Sequence, residues 1–212
     1  MQQKNKSRLH HKMSLKLERI SAVLSALVNS GARSVVDIGC GDGKLLKEIV
    51  ALKQFESIIG LDTSSKQLIK AERRLGLNRS PSGNERVKLI QGSITERDQQ
   101  IANFDAATVI EVIEHLSQSS LLSFEEAIFT FAKIRTVIVT TPNYEYNRMF
   151  DKLLGGKYRN KDHKFEFTTK QFRDWALNRA KLSGYRVNFT SIGPPNTNGT
   201  APTQMAVFER IS

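Results

Sequence analysis

The sequence predicts an α/β domain built on a mostly parallel seven-stranded sheet that ends in an antiparallel C-terminal hairpin. Three observations carry this. Apolar runs such as SVVDIG and SIIGLD are continuous rather than alternating, as strands buried on both faces are. Helical segments alternate with these runs, and strand–helix–strand units imply parallel neighbours. The last two strand-like runs flank a Pro/Gly/Asn-rich loop with no helix in it, which makes them a hairpin.

In chain order, the first strand is expected at Ser34–Gly39, where an apolar run meets a glycine cluster, followed by a helix over Lys44–Lys53. The second strand, Ser57–Asp62, feeds a helix over Ser65–Leu75; the third, Val87–Gly92, follows a surface loop, SPSGN, at 80–84. A fourth strand is expected at Phe104–Glu111 and a helix at Leu116–Phe131. The fifth strand is TVIVTT, Thr136–Thr141, and a helix covers Lys170–Ser183. Val187–Ile192 and Gln204–Arg210 are the hairpin strands. Residues 143–168 lack periodicity and are long for a connection, a property of functional or disordered loops.

The 212 residues suffice for one domain with a full core, here placed at 20–212, preceded by a basic arm or helix at 1–19. No apolar run is long enough to span a bilayer. No apolar segment follows the basic N-terminus, so no signal peptide is expected. One cysteine, Cys40, excludes an internal disulfide framework and points to a reducing, cytoplasmic compartment. The formal net charge of +11 suggests a polyanionic partner, nucleic acid before an acidic membrane surface; a basic protein without such a partner is the plainer alternative. The charge concentrates in 1–19, 66–79 and 148–173. The first tract reads as a nucleic-acid arm, a disordered leader or the boundary of a longer protein.

Gly39, Gly41 and Gly43, in DIGCGDGKLL, sit at the first strand–helix junction. Without a Cβ, such a turn lets a ligand approach the backbone. The spacing misses the dinucleotide fingerprint by one residue, and the Gly-Lys-Ser/Thr ending of a phosphate loop is absent. Asp37, just before the glycines, would repel a pyrophosphate but suits an ammonium group, and Asp62, ending the second strand, suits the two hydroxyls of a ribose. A ligand with an amino acid at one end and a nucleoside at the other fits both, and S-adenosylmethionine is one. With Asp37, Asp62 and the antiparallel last strand, the chain resembles the Rossmann-like S-adenosylmethionine methyltransferases, whose adenine would fall near Ser93 and Ile94. Cys40 reads as a packing residue rather than a nucleophile.

Glu111, Glu114 and His115 follow the fourth strand at the carboxyl end of the sheet, where open α/β sheets bind ligands. A helix starting near Val112 would bring them together, because i, i+3 and i+4 share a face. Taken alone they equally fit an ordinary helix start, where acids favour the dipole. Of the four histidines, two lie in the N-terminal tract; the others are His115 and His163, and His163 follows the fifth strand and returns over the same sheet end. Two Glu and two His make a mixed nitrogen–oxygen set that suits Mn²⁺, Mg²⁺, Co²⁺ or Fe²⁺ with open positions. Asp162 is a candidate to orient an imidazole.

VIEVIEHL, TVIVTTPNYEYN and DHKFEFTTKQFRDWA together resemble the RNA 3′-terminal ribose 2′-O-methyltransferases, over about residues 20–211. The resemblance implies that Glu111, Glu114, His115 and His163 hold a divalent metal, Mn²⁺ or a substitute, that engages the 2′- and 3′-hydroxyls of the terminal nucleotide. It implies an RNA 3′ end as substrate and, in the bacterial branch, a polynucleotide kinase-phosphatase partner in RNA repair. Phe167 departs from the Trp common at that position in the family. In the basic loop, Arg148, Lys157, Arg159 and Lys161, interleaved with Tyr146, Phe150 and Tyr158, are expected to contact RNA phosphates and bases. A metal-free methyltransferase of a small molecule and an RNA-binding module are the alternatives.

Overall fold

Seven strands form one sheet: β1 (Ser34–Ile38), β2 (Ser57–Asp62), β3 (Val87–Gln91), β4 (Ala106–Ile110), β5 (Thr136–Pro142), β6 (Tyr185–Ile192) and β7 (Thr203–Arg210). Their spatial order is β3-β2-β1-β4-β5-β7-β6. The first five are parallel, and β7 runs antiparallel to both β5 and β6. The predicted class and the closing hairpin are as expected. The computed structural model describes residues 2–77, 85–149 and 158–211, with 2–14 and 148–149 described by backbone alone. The SPSGN loop, Phe150, Lys157 and the side chain of Arg148 therefore lie outside the described residues.

The strands divide two cores by simple alternation, since successive side chains point to opposite faces. Val35, Ile58, Ala106 and Ile138 face one side, where helix α2 (Lys44–Ala51) contributes Leu45, Leu46 and Ile49. Helix α1 (Gln2–Asn29) adds Val23 and Leu27 to the same core. Val36, Ile59, Ala107 and Val137 face the other side and meet Phe124 of α4 (Gln118–Glu125) and Phe172 and Ala176 of α5 (Thr169–Ser183). Helix α3 (Ser65–Leu75) joins β2 to β3; Ser64 caps its start and Gly76 ends it in the left-handed conformation.

Two elements differ from expectation. Helix α1 runs without a break through Arg19 and Ile20 to Asn29, because the segment after Arg19 carries apolar residues at helical spacing, Val23 and Leu27, that the sheet buries. The helix expected over Leu116–Phe131 is split. Leu116 is extended, Ser117 accepts the Ser120 N–H and starts α4, and residues 126–131 continue as a wider π-type turn.

The order of the sheet places its switch point between β1 and β4, whose onward connections leave in opposite directions. A crevice opens there, beyond the carboxyl ends of the two strands. The glycine loop after β1 and the Glu111 segment after β4 form its two lips.

Candidate active site

The glycine loop owes its shape to backbone freedom. Gly39, Gly41 and Gly43 all have positive φ, at 73°, 55° and 75°. A Cβ on Gly39 would lie 2.5 Å from Cγ2 of Val112. Asp62 pins the loop: its Oδ2 accepts the Gly41 N–H at 2.8 Å and its Oδ1 accepts the Ser64 N–H at 2.8 Å. Asp37 lies beneath, 3% exposed, and accepts the Thr108 hydroxyl at 2.7 Å across the β1–β4 pair. Burial, assisted by the Asp62 charge and opposed by the Thr108 hydrogen bond, pushes Asp37 up to about 7. Cys40 is buried, and burial pushes its thiol up, which suits packing rather than nucleophilic attack.

A cavity of about 270 Å³ joins the two lips, lined by Gly39, Asp62 and Ile94 on one side and Glu111, His115 and Leu116 on the other. Asp37, Gly41 and Ser93 do not line it; Ser93 shares a hydrogen bond with Thr95 Oγ1 at 2.7 Å.

Past β4 the chain does not enter a helix at Val112. Glu111 itself takes φ 55°, a conformation uncommon outside glycine, and its N–H donates to the Thr140 carbonyl at 3.0 Å. A single 3₁₀ turn, Ile113–His115, follows. Helical spacing therefore does not bring the three polar groups together as expected. Glu114, His115 and His163 do converge, each offering a ligand atom within 4.8 Å of the others. Glu111 is not among these three. Its carboxylate meets the Arg19 guanidinium at 2.9 Å and accepts the Thr140 hydroxyl at 3.2 Å.

The electrostatics of this cluster favour a cation. Glu114 is fully buried; its Oε2 accepts the Thr141 hydroxyl at 3.1 Å, while its Oε1 has no partner. Burial, and then the nearby Glu111 charge, raise the Glu114 carboxyl well above the usual carboxylate range. An orphaned buried carboxylate oxygen is costly and calls for a proton or a positive charge. Burial and the neighbouring His163 lower His115, which keeps its ring in the neutral, ligating form. The two rings meet edge to face with centroids 4.8 Å apart.

The His163 imidazole is held from behind. Near His115, the Asp162 backbone favours the charged ring but does not outweigh burial. His163 Nδ1 lies 2.6 Å from Glu166 Oε1, which leaves Nε2 for a ligand. Glu166, absent from the sequence reading, is the centre of this support. It is 6% exposed, its Oε2 accepts Asn147 Nδ2 at 2.5 Å, and its Oε1 accepts the Arg159 N–H at 2.7 Å. Burial alone would push Glu166 up, but the hydrogen bonds from His163, Asn147 and Arg159 outweigh it and hold the carboxyl below its usual range. The side chain expected in this role, Asp162, contributes its backbone instead. The Lys164 N–H donates to the Glu114 carbonyl at 2.8 Å and ties the His163 loop to the turn that carries His115.

Among the expected RNA contacts, Lys161 is exposed. Arg159 faces inward: its Nε donates to Asn147 Oδ1 and its Nη2 to the Asn143 carbonyl, both at 2.7 Å, and the guanidinium lies over the Tyr146 ring. It braces the Glu166 network because buried carbonyls and a carboxylate there need a donor. No helix among the described residues is long and apolar enough to cross a membrane.

The sheet order, the antiparallel closing strand and a glycine loop at the switch point define a Rossmann-like S-adenosylmethionine methyltransferase fold, and the family described as Methyltransferase domain matches residues 36–138. The crystallised methyltransferase domain of bacterial CtHen1 is 42% identical, with a TM-score of 0.83 over 92% of this chain and 99% of that one. A mouse protein named small RNA 2′-O-methyltransferase is 35% identical over 190 residues, 84% of this chain and 46% of that protein. The chain belongs to this HEN1 family. It spans about half the length, or less, of the curated relatives it matches. A chain of the Pnkp1/Rnl/Hen1 RNA repair complex shares the fold at 20% identity, with a TM-score of 0.68 over 92% of this chain and 41% of that one.

Proposed function

We propose that this chain transfers a methyl group from S-adenosylmethionine to the 2′-hydroxyl of the 3′-terminal ribose of RNA. A divalent cation, Mn²⁺ with Mg²⁺ or Co²⁺ as substitutes, would be held by Glu114, His115 and His163, with Glu111, here paired with Arg19, as the fourth ligand. The observation that carries this is the meeting of the Glu114–His115–His163 cluster, through His115, with the Gly39–Asp62–Ile94 cavity.

In this reading, Asp37 receives the cofactor's ammonium group through the glycine turn at Gly39 and Gly41. Asp62 keeps lone pairs for ribose hydroxyls while it pins the loop. Ile94 supplies an apolar wall for the adenine, with Ser93 at its edge. S-adenosylmethionine supplies an electrophilic methyl group, which passes to the 2′ oxygen as its C–S bond breaks and the hydroxyl proton is released. A divalent cation lowers the pKa of a hydroxyl it binds. Glu166 fixes the His163 imidazole before substrate arrives, so that ring needs no reorientation during the reaction. Adjacent free 2′- and 3′-hydroxyls occur together only at a 3′ end, so a site that needs both selects ends over internal positions. Exposed Lys161, with the positive charge that Arg148 and Lys157 add to the same stretch of sequence, attracts the strand. The RNA is one cut or trimmed to a free end, in repair with a polynucleotide kinase-phosphatase or in small-RNA protection.

The test is methyl transfer to a short RNA with Mn²⁺ and with EDTA, and to the same RNA ending in a 2′-deoxynucleotide. Activity only with metal and only on the 2′-hydroxyl end is expected. Equal activity in EDTA, or on the deoxy end, overturns the proposal, as does a His163→Ala variant with unchanged turnover.

A further inference from the structure

A second cavity, of about 560 Å³, lies beside the cluster between α4, α5 and the loop after His163. Its apolar walls are Leu116, Leu121, Leu122, Phe165, Phe167 and Trp175. Phe167 and Trp175 stack at 6.0 Å between ring centroids, and Phe165 packs on Phe167 at 4.7 Å. Two cations, Lys164 and Arg179, also border it. The one acid there, Glu125, is committed: it takes the Trp175 Nε1–H at 2.6 Å and pairs with Arg179. The groove is therefore aromatic and, on balance, positive.

Leu116 lines both this groove and the cavity that holds His115, so the two are neighbours across that side chain. Lys164 directly follows His163 in the chain. The volume lies within the roughly 300–1,000 Å³ of small-ligand pockets. The Phe165, Phe167 and Trp175 rings are half-buried; an aromatic surface flanked by cations is the arrangement on which unpaired bases stack, and such stacking tolerates any base because each has a π-face.

We infer that this groove seats the nucleobase of the RNA's 3′-terminal nucleotide, placing its ribose at the Glu114–His115–His163 cluster. The inference rests on the function proposed above and adds a specificity element to it: Phe167, Trp175, Leu121 and Leu122 recognise that a base is present, not which base. It also gives Phe167, stacked on Trp175, a role in seating that base.

Trp175 is the chain's one tryptophan, so its fluorescence reports on this groove alone. The experiment compares two RNAs, one with an ordinary 3′ nucleotide and one whose terminal ribose lacks a base but keeps both hydroxyls, each with S-adenosylmethionine and Mn²⁺. The ordinary RNA is expected to quench Trp175. The abasic RNA is expected not to, and to show a KM raised about tenfold with little change in kcat, in line with roughly 1–3 kcal/mol per stacked base. Leu122 is 60% exposed, so Leu122→Glu charges the groove with little risk to the fold. It is expected to raise KM for the ordinary RNA and leave the abasic RNA unaffected. Equal KM and equal quenching for the two RNAs overturn the groove assignment while leaving the methyl transfer standing. Failure of the wild-type chain to methylate either RNA overturns both.

Discussion

The Glu111 carboxylate is paired with Arg19 at 2.9 Å, so a side chain from α1 reaches the edge of the Glu114–His115–His163 cluster. The pair is mostly buried, and Arg19 Nη2 also donates to Thr203 Oγ1 at 3.1 Å, while its Nε has no partner. If Glu111 is a metal ligand as proposed, Arg19 would compete with the metal for it and add a like charge beside it. Arg19→Met is expected to tighten Mn²⁺ binding about tenfold, about 1.4 kcal/mol, as measured by calorimetry. Unchanged or weaker binding would mean that the arginine orients Glu111 for the metal instead of withholding it.

The buried Asp37 makes a pH prediction. Its carboxyl is pushed up from 3.8 to about 7. A carboxyl raised on folding stabilises the native state while protonated, and that contribution is lost as pH climbs through the folded-state value. The ligand-free protein should thus lose up to about 4 kcal/mol from Asp37 across this window, at about 1.4 kcal/mol per pH unit. An ammonium-bearing ligand prefers the ionised form, so affinity for S-adenosylmethionine should rise over the same range and level off above it. Asp37→Asn can still accept the Thr108 hydroxyl and should flatten both profiles. Glu114 titrates in the same sense, so the measured quantity is the difference between wild type and Asp37→Asn in urea unfolding and in calorimetry. Superimposable profiles would refute the assignment.

Glu166 holds three donors at once, from His163, Asn147 and the Arg159 backbone. Glu166→Ala strands them and frees the His163 ring to rotate. Loss of such a supporting carboxylate typically costs about 10–100-fold in metal affinity, and that is the expected drop in Mn²⁺ binding. Glu166→Gln should fall between the two, because its amide presents an acceptor to His163 but a donor to Asn147. Glu166→Gln binding metal no better than Glu166→Ala would show that charge, not ring orientation, is what Glu166 supplies.

The sheet was legible because doubly buried strands leave continuous apolar runs, and SVVDIG, SIIGLD and TVIVTT all became strands. The meeting of His115 and His163 was legible because both follow neighbouring parallel strands, β4 and β5, at the same sheet end. The position of Glu111 was not. It depends on a positive φ at a non-glycine residue, which side-chain chemistry does not announce, and on an arginine 92 positions earlier in the chain. Arg159 looked like a free cation because charge in a basic loop carries no sign of burial. Glu166 did leave a signal, three residues after His163 in DHKFEF, but the adjacent Asp162 obscured it.

Gly39 tests the shape of the crevice itself. Its φ of 73° costs an alanine about 1–2 kcal/mol, and the added Cβ would stand 2.5 Å from Val112 Cγ2. Overpacking of that kind adds roughly 1–3 kcal/mol. Gly39→Ala should therefore destabilise the fold by about 3 kcal/mol in all, the sum of those two effects. Val112→Ala removes the clash but not the backbone penalty. In a Val112→Ala background the same glycine substitution should cost only the conformational part, about 1–2 kcal/mol, a non-additivity that a double-mutant cycle in urea reads directly. Strict additivity would show that Val112 already moves aside, and that Gly39 is required for its backbone angle alone.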